Sequence, residues 1–228
     1  QGLFANHRFQ KKNVDKTCAA CHGGRVYAEF TGKNSGVRDI HFEKGMTCID
    51  CHKADELHGN GIKVDSKRNV KGKPSCTNCH KLNATSRSIA IHKQHEKVTN
   101  CQACHVASEY NNCSSCHIGK GASQFQAFIL GRDPLNKERI VTLRLTPVVK
   151  DTFISQGILM DNYDKIPNFW MAPVHNIRKK TPRTMICSPC HTKNKEGLIN
   201  EKIFPKDGSK QNTVLLYDPN ALKIFKQR

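Results

Sequence analysis

Apolar positions in this chain come in short runs, and glycine and proline break the rows between them. Through residues 1–120, Gly23-Gly24, Gly32, Gly36, Gly59-Asn60-Gly61 and Lys71-Gly72-Lys73-Pro74 interrupt any sustained helical period. That pattern predicts short turns and few long helices. Further on, ERIVTLRLTPVVKDTF (138–153) is β-branched and partly alternating, which predicts one or two strands broken at Pro147. TVLLY (213–217) reads as another possible strand. Neither it nor FQAFIL (125–130) approaches the roughly 20 apolar residues needed to span a bilayer, so no transmembrane segment is expected. The chain opens on Gln1, with no initiator Met and no basic-plus-apolar leader, which reads as a mature terminus left after export.

Composition makes this pattern harder to fold. The chain has 228 residues, enough for one large or two small domains, yet 37% are apolar, 7% aromatic, and the mean hydropathy is -0.61. That is thin for a protein-only core, so something else is expected to fill the interior.

The cysteines supply a candidate. Residues 101–117 read CQACHVASEYNNCSSCH, two Cys-x-x-Cys-His units separated by seven residues. The same unit occurs as Cys18-Ala-Ala-Cys21-His22, Cys48-Ile-Asp-Cys51-His52, Cys76-Thr-Asn-Cys79-His80 and Cys187-Ser-Pro-Cys190-His191. With Cys101, Cys104, His105 and Cys113, Cys116, His117, the six units use all twelve cysteines. A zinc site uses the cysteine pair but gives no reason for a histidine directly after it. A redox dithiol wants one reactive pair on a thioredoxin-like scaffold. A c-type haem uses all three residues, because two thiols add to the porphyrin vinyl groups and the adjacent imidazole reaches the iron. Six covalent haems are expected.

The histidine count extends this. Of twelve histidines, six belong to the units, and the others are His7, His41, His58, His92, His95 and His175. Six irons want six further ligands, so these are the expected distal set. His92 and His95 are three apart in IAIHKQHEKVTNCQACH, on one side of a helical turn, where two irons could flank them. This stretch resembles the His-x-x-His segment ahead of an attachment unit in small tri- and tetrahaem cytochromes. Met46, Met160, Met171 and Met185 could also bind iron, but with enough histidines they are expected to serve packing. His7, ahead of every unit, could ligate within its own chain or reach an iron of a neighbouring subunit, a head-to-tail contact that builds open filaments.

Haem also alters the charge. The formal net charge is +18, from 37 Lys plus Arg against 19 Asp plus Glu. Each ferric haem carries about -1, so six bring it to about +12, and full reduction to about +6. Surface solvation and propionate pairing account for the excess, and no nucleic-acid partner is expected.

Residues 1–120 hold five units, 121–186 hold none but include one distal histidine and the expected short strands, and 187–228 carry the sixth unit and a basic tail. These are expected to form one structural unit. Eight peptide steps join His105 to Cys113, a reach of at most ~28 Å, so the haems at His105 and His117 should stack closely. Through residues 7–191 the chain resembles the multihaem c-type cytochromes, and within them the extracellular hexahaem bis-histidine cytochromes that polymerise into conductive filaments. The resemblance implies a mostly irregular fold with short helices and a small β element, organised around six stacked haems. It implies electron transfer outside the cytoplasm, by a filament subunit at the cell surface, with redox proteins or extracellular acceptors as partners. The rivals are a monomeric periplasmic or surface shuttle and a multihaem reductase of a nitrogen or sulfur oxyanion. Because every unit ends in His and no distal ligand is obviously missing, the chain is expected not to be an enzyme.

Overall fold

The computed structural model describes residues 14–33, 35–65, 69–82, 87–107, 128–145, 150, 153–191, 198–204 and 208–216. Short helices predominate: α1 (Val14–His22), α2 (Ala28–Thr31), α3 (Ile40–Glu43), α4 (Cys48–Cys51), α5 (Ala54–His58), α6 (Arg87–His95), α7 (Gln102–His105), α8 (Pro182–Met185) and α9 (Ser188–His191). Local chemistry explains their brevity. A π-helical turn, Gly23–Tyr27, joins α1 to α2, and α2 stops at Gly32 with φ 71°. A Cβ there would lie 2.8 Å from the Arg38 nitrogen, so only glycine suits that turn. Helix α4 is started by a capping box in which the Asp50 carboxylate accepts both the Thr47 backbone N–H and its hydroxyl, at 2.7 and 2.8 Å. Thr181 caps α8, with Pro182 in the first turn, where a missing N–H costs nothing.

Strands β1 (Ile129–Asp133), β2 (Asn136–Leu145) and β3 (Phe169–Met171) form one antiparallel sheet in the order β1-β2-β3. Asp133 Oδ1 accepts the Leu135 N–H in the hairpin, next to a register shift between Arg132 and Asp133. The β-branched pattern thus predicted β2 but not its partners. Pro147, the expected break, lies outside the described residues, and so does the C-terminal tail beyond 216. TVLLY is corrected: Lys210–Leu215 is a 3-10 helix, capped by Ser209 and pinned by Asn212, whose Oδ1 accepts the buried Asn168 N–H. Asn212 and Leu215, three apart, are both buried, a spacing that suits a helical turn and not the two-residue alternation of a strand.

The apolar core surrounds the sheet. Ile129, Val141, Leu143, Leu145, Phe169, Ile199 and Leu215 form its centre, flanked by Val106, Phe128, Ala172 and Val174 and by Ala103, Leu130 and Leu198. Gly131 is required there, since a Cβ would lie 2.6 Å from Leu143 Cδ1 and 2.7 Å from Ile199 Cγ2. Among the described residues before position 98, Ala28 is the one buried apolar side chain. The N-terminal stretch instead docks through polar contacts. Ile40 donates to the Ile177 carbonyl at 2.9 Å, and Asp39 Oδ2 accepts the Ile177 N–H at 2.7 Å. No helix among the described residues is long and apolar enough to cross a membrane.

Candidate functional site

A Cys-x-x-Cys-His unit wound into one helical turn puts its first thiol and its imidazole on the same side, because residues four apart share a face. Four of the described units make the closing i to i+4 bond: His52 to the Cys48 carbonyl at 2.9 Å, His80 to Cys76 at 2.8 Å, His105 to Cys101 at 3.0 Å and His191 to Cys187 at 3.1 Å. Cys18, Cys21 and His22 lie on α1. None of the ten described cysteines is in a disulfide, and none is fully buried. Cys113, Cys116, His117 and His7 lie outside the described residues. His58 ends α5, but its side chain is not among those described.

The histidines of the two sets meet in pairs. The ring centroids of His41 and His80 are 6.0 Å apart, His52 and His175 6.2 Å, His92 and His105 6.0 Å, and His95 and His191 5.9 Å. Each pair joins one histidine that follows a cysteine pair to one that does not. Two metal–imidazole bonds of about 2 Å each, plus the distance from each ring centre to its nitrogen, put the centroids about 6 Å apart. The observed separations match that distance, so each pair is spaced as two imidazoles on opposite sides of one metal would be. Among the described residues no group of three or more His, Cys, Asp or Glu side chains is arranged to hold a metal ion. Two protein ligands per site suit haem, whose porphyrin supplies the other four. His92 and His95, on one turn of α6, face different partners.

Several imidazoles are also held on their outer nitrogen, which fixes ring orientation. His41 Nδ1 lies 2.9 Å from Asp39 Oδ1, and His52 Nδ1 lies 2.7 Å from Glu56 Oε2. His95 Nδ1 is 2.8 Å from the Ile91 carbonyl, and His105 Nδ1 is 3.1 Å from that of Arg178. Asp39 and Glu56 were not among the residues expected at the site. An Asp two residues before one candidate ligand, and a Glu four residues after another, were the available signals.

His175 differs. Its Nδ1 stands 4.0 Å from Glu29 Oε2, beyond hydrogen-bonding reach, while its backbone N–H donates to that oxygen at 3.2 Å. Burial pushes the Glu29 carboxyl up to about 7 against the pull of Arg25, and burial pushes the His175 imidazole down to about 4. Both shifts favour neutral forms, so this contact is no ion pair near neutral pH.

The sulfurs show which units adjoin. Cys76 and Cys101 hydrogen-bond each other, which raises the Cys76 thiol and lowers Cys101. Burial, an Asp15 contact at 3.4 Å and then Cys18 raise the Cys48 thiol. Burial first, then Cys79, raises Cys51, and burial first, then Cys190, raises Cys104. The units headed by Cys18, Cys48, Cys76, Cys101 and Cys187 thus form an unbroken series of neighbours.

No family model matches the chain, and no solved structure matches it. In part it is similar to the dissimilatory sulfite reductase MccA of Wolinella succinogenes, 35% identical over 82 aligned residues that cover 29% of this chain. The chain spans about a tenth of the length of that relative, 11%. The similarity associates this chain with redox proteins. It also corrects the expectation that the chain is not an enzyme, because the matched protein is a reductase. That expectation rested on every unit ending in His and on six further histidines matching six irons. The four described pairs account for eight of the twelve histidines, so the count alone does not close every iron.

Proposed function

We propose that the chain transfers electrons through a series of covalently bound c-type haems. The observation that carries this is the meeting of four attachment histidines with four others at 5.9 to 6.2 Å. In this reading His80 and His41, His52 and His175, His105 and His92, and His191 and His95 are the axial ligands of four irons. His22 and His117 remain for His7 and His58, which completes six haems. A bis-imidazole haem supplies a one-electron ferric–ferrous couple of low potential. The chain's residues do the rest: the thiols of each unit anchor the group, the paired imidazoles clamp the axial positions, and the helical turns hold successive units side by side. Denatured-protein mass spectrometry and low-temperature electron paramagnetic resonance test it. The expected result is six haems by mass with low-spin iron at the four described pairs; a chain carrying no covalent haem would refute the reading.

Export, and a place at the cell surface or in the periplasm, accompany this reading, since thioether attachment takes place outside the cytoplasmic membrane. The finer proposal is a head-to-tail polymer in which His7 reaches a neighbour's iron. Electron micrographs of the purified protein and of His7→Ala test it: filaments in the first and monomers in the second are expected.

A second reading has its own observation, the partial similarity to a sulfite reductase. In it, the chain belongs to an enzyme that reduces a sulfur or nitrogen oxyanion, and its haems feed the reacting centre. Reoxidation of the dithionite-free, photoreduced protein by sulfite or nitrite, with carbon monoxide binding to an open iron, distinguishes this reading from the first.

A further inference from the structure

The four pairs differ in what stands behind the ring. At the His80 pair, Asp39 is 2% exposed, and its Oδ1 takes both the Nδ1 and the backbone N–H of His41, at 2.9 and 2.7 Å. Its Oδ2 accepts the Ile177 N–H from the opposite segment at 2.7 Å, so the carboxylate cannot turn away. At the His52 pair, Glu56 reaches back one helical turn to Nδ1 at 2.7 Å. The pairs at His105 and His191 have backbone carbonyls in these places, from Arg178 and Ile91. Near them, beside Cys104 and Cys190, the Arg183 guanidinium donates to the Phe128 carbonyl at 3.1 Å and to the Ala103 carbonyl at 3.5 Å.

We propose that Asp39 and Glu56 are positioning residues that make the units at His80 and His52 the low-potential stretch of the electron path, and that the carbonyl-backed units at His105 and His191 form its high-potential stretch. The proposal rests on the reading of the histidine pairs as iron ligands. A carboxylate that accepts the Nδ1 proton draws it away from the ring and enriches the opposite nitrogen in electrons. That favours ferric over ferrous iron and lowers the potential. A neutral carbonyl does this less, and the Arg183 cation beside Cys104 and Cys190 acts in the opposite sense. Helix capping explains why Asp39 takes a backbone N–H, but it leaves the Nδ1 contact and the Glu56 contact without a reason. The series of sulfur neighbours gives the difference a direction. The units at Cys48 and Cys76 adjoin, and the series then continues to those at Cys101 and Cys187, so an electron arriving at the first two moves downhill to the last two.

The test is a spectroelectrochemical titration of the haem-loaded protein and of its Glu56→Gln and Asp39→Asn variants, with haem content and spin state measured alongside. In each variant one low-potential component should move to a more positive potential, with haem content unchanged and all ligated iron still low-spin. The Asn amide would meet the Ile177 N–H, so Asp39→Asn could fold poorly. Glu56 is partly exposed and has no such partner among the described residues, and its variant then decides. Unmoved potentials, or a shift to more negative values, with intact low-spin iron overturn the proposal. The ligand reading is checked separately by His175→Ala. If that variant keeps every iron low-spin, the ligand reading fails and takes this inference with it, whatever the potentials do.

Discussion

His92 faces His105 across 6.0 Å with the two ring planes 5° from parallel. Three residues on, His95 faces His191 at 5.9 Å with planes 86° apart. Imidazoles in parallel planes act on the same iron d orbital and separate it in energy from its partner. Perpendicular ones act on both equally. The His92–His105 site should therefore give a rhombic low-spin resonance, and the His95–His191 site a strongly anisotropic one. His92→Ala should remove the first component and His95→Ala the second, each replaced by one high-spin iron. Loss of the same component in both variants would contradict the pairing.

The methionines are expected to leave ligation alone. Met171 packs against the sheet core, and Met185 is 70% exposed. Leu at Met46, Met160, Met171 or Met185 should leave the haem spectra and potentials within error, as read by visible redox titration. A change of the size that accompanies ligand exchange, at any one of them, would identify that methionine as a ligand.

The sheet should carry most of the stability that protein packing alone supplies. Leu143 is fully buried, so Leu143→Ala should cost about 2–5 kcal/mol. Gly131→Ala pushes a methyl into Leu143 and Ile199 and should cost about 1–3 kcal/mol. Urea unfolding of the haem-loaded protein checks both, with spectra unchanged below the transition.

Local pattern carried some of this structure and tertiary pairing the rest. The turn-forming glycines announced short helices, and the β-branched run announced β2. The strand β3 is three residues long, with no period to read, and it exists because Leu145, Leu143 and Arg144 pair with Phe169, Met171 and Trp170. The helical spacing of His92 and His95 placed them on one turn but could not name His105 and His191 as their partners. His175 reaches His52 from a distant part of the chain, with its backbone N–H held by Glu29 and the nearby Ile177 N–H held by Asp39. TVLLY forms no strand because Leu215 is buried together with Asn212, three residues before it and just outside the apolar run.

The core described around the sheet draws its buried apolar side chains from Ala103 onward, with Ala28 alone before it among the described residues. A ribosome delivers these parts in the opposite order, so the stretch made first is the one least able to fold unaided. If the chain carries haem as proposed, that stretch stays open to proteases until the cofactors arrive, while the later half can close on its own side chains. Limited proteolysis of the haem-free chain should accordingly trim residues 14–98 first and leave a sheet-containing fragment. Haem supply would then set the abundance of the protein as well as its activity, with degradation removing every copy whose maturation stalled.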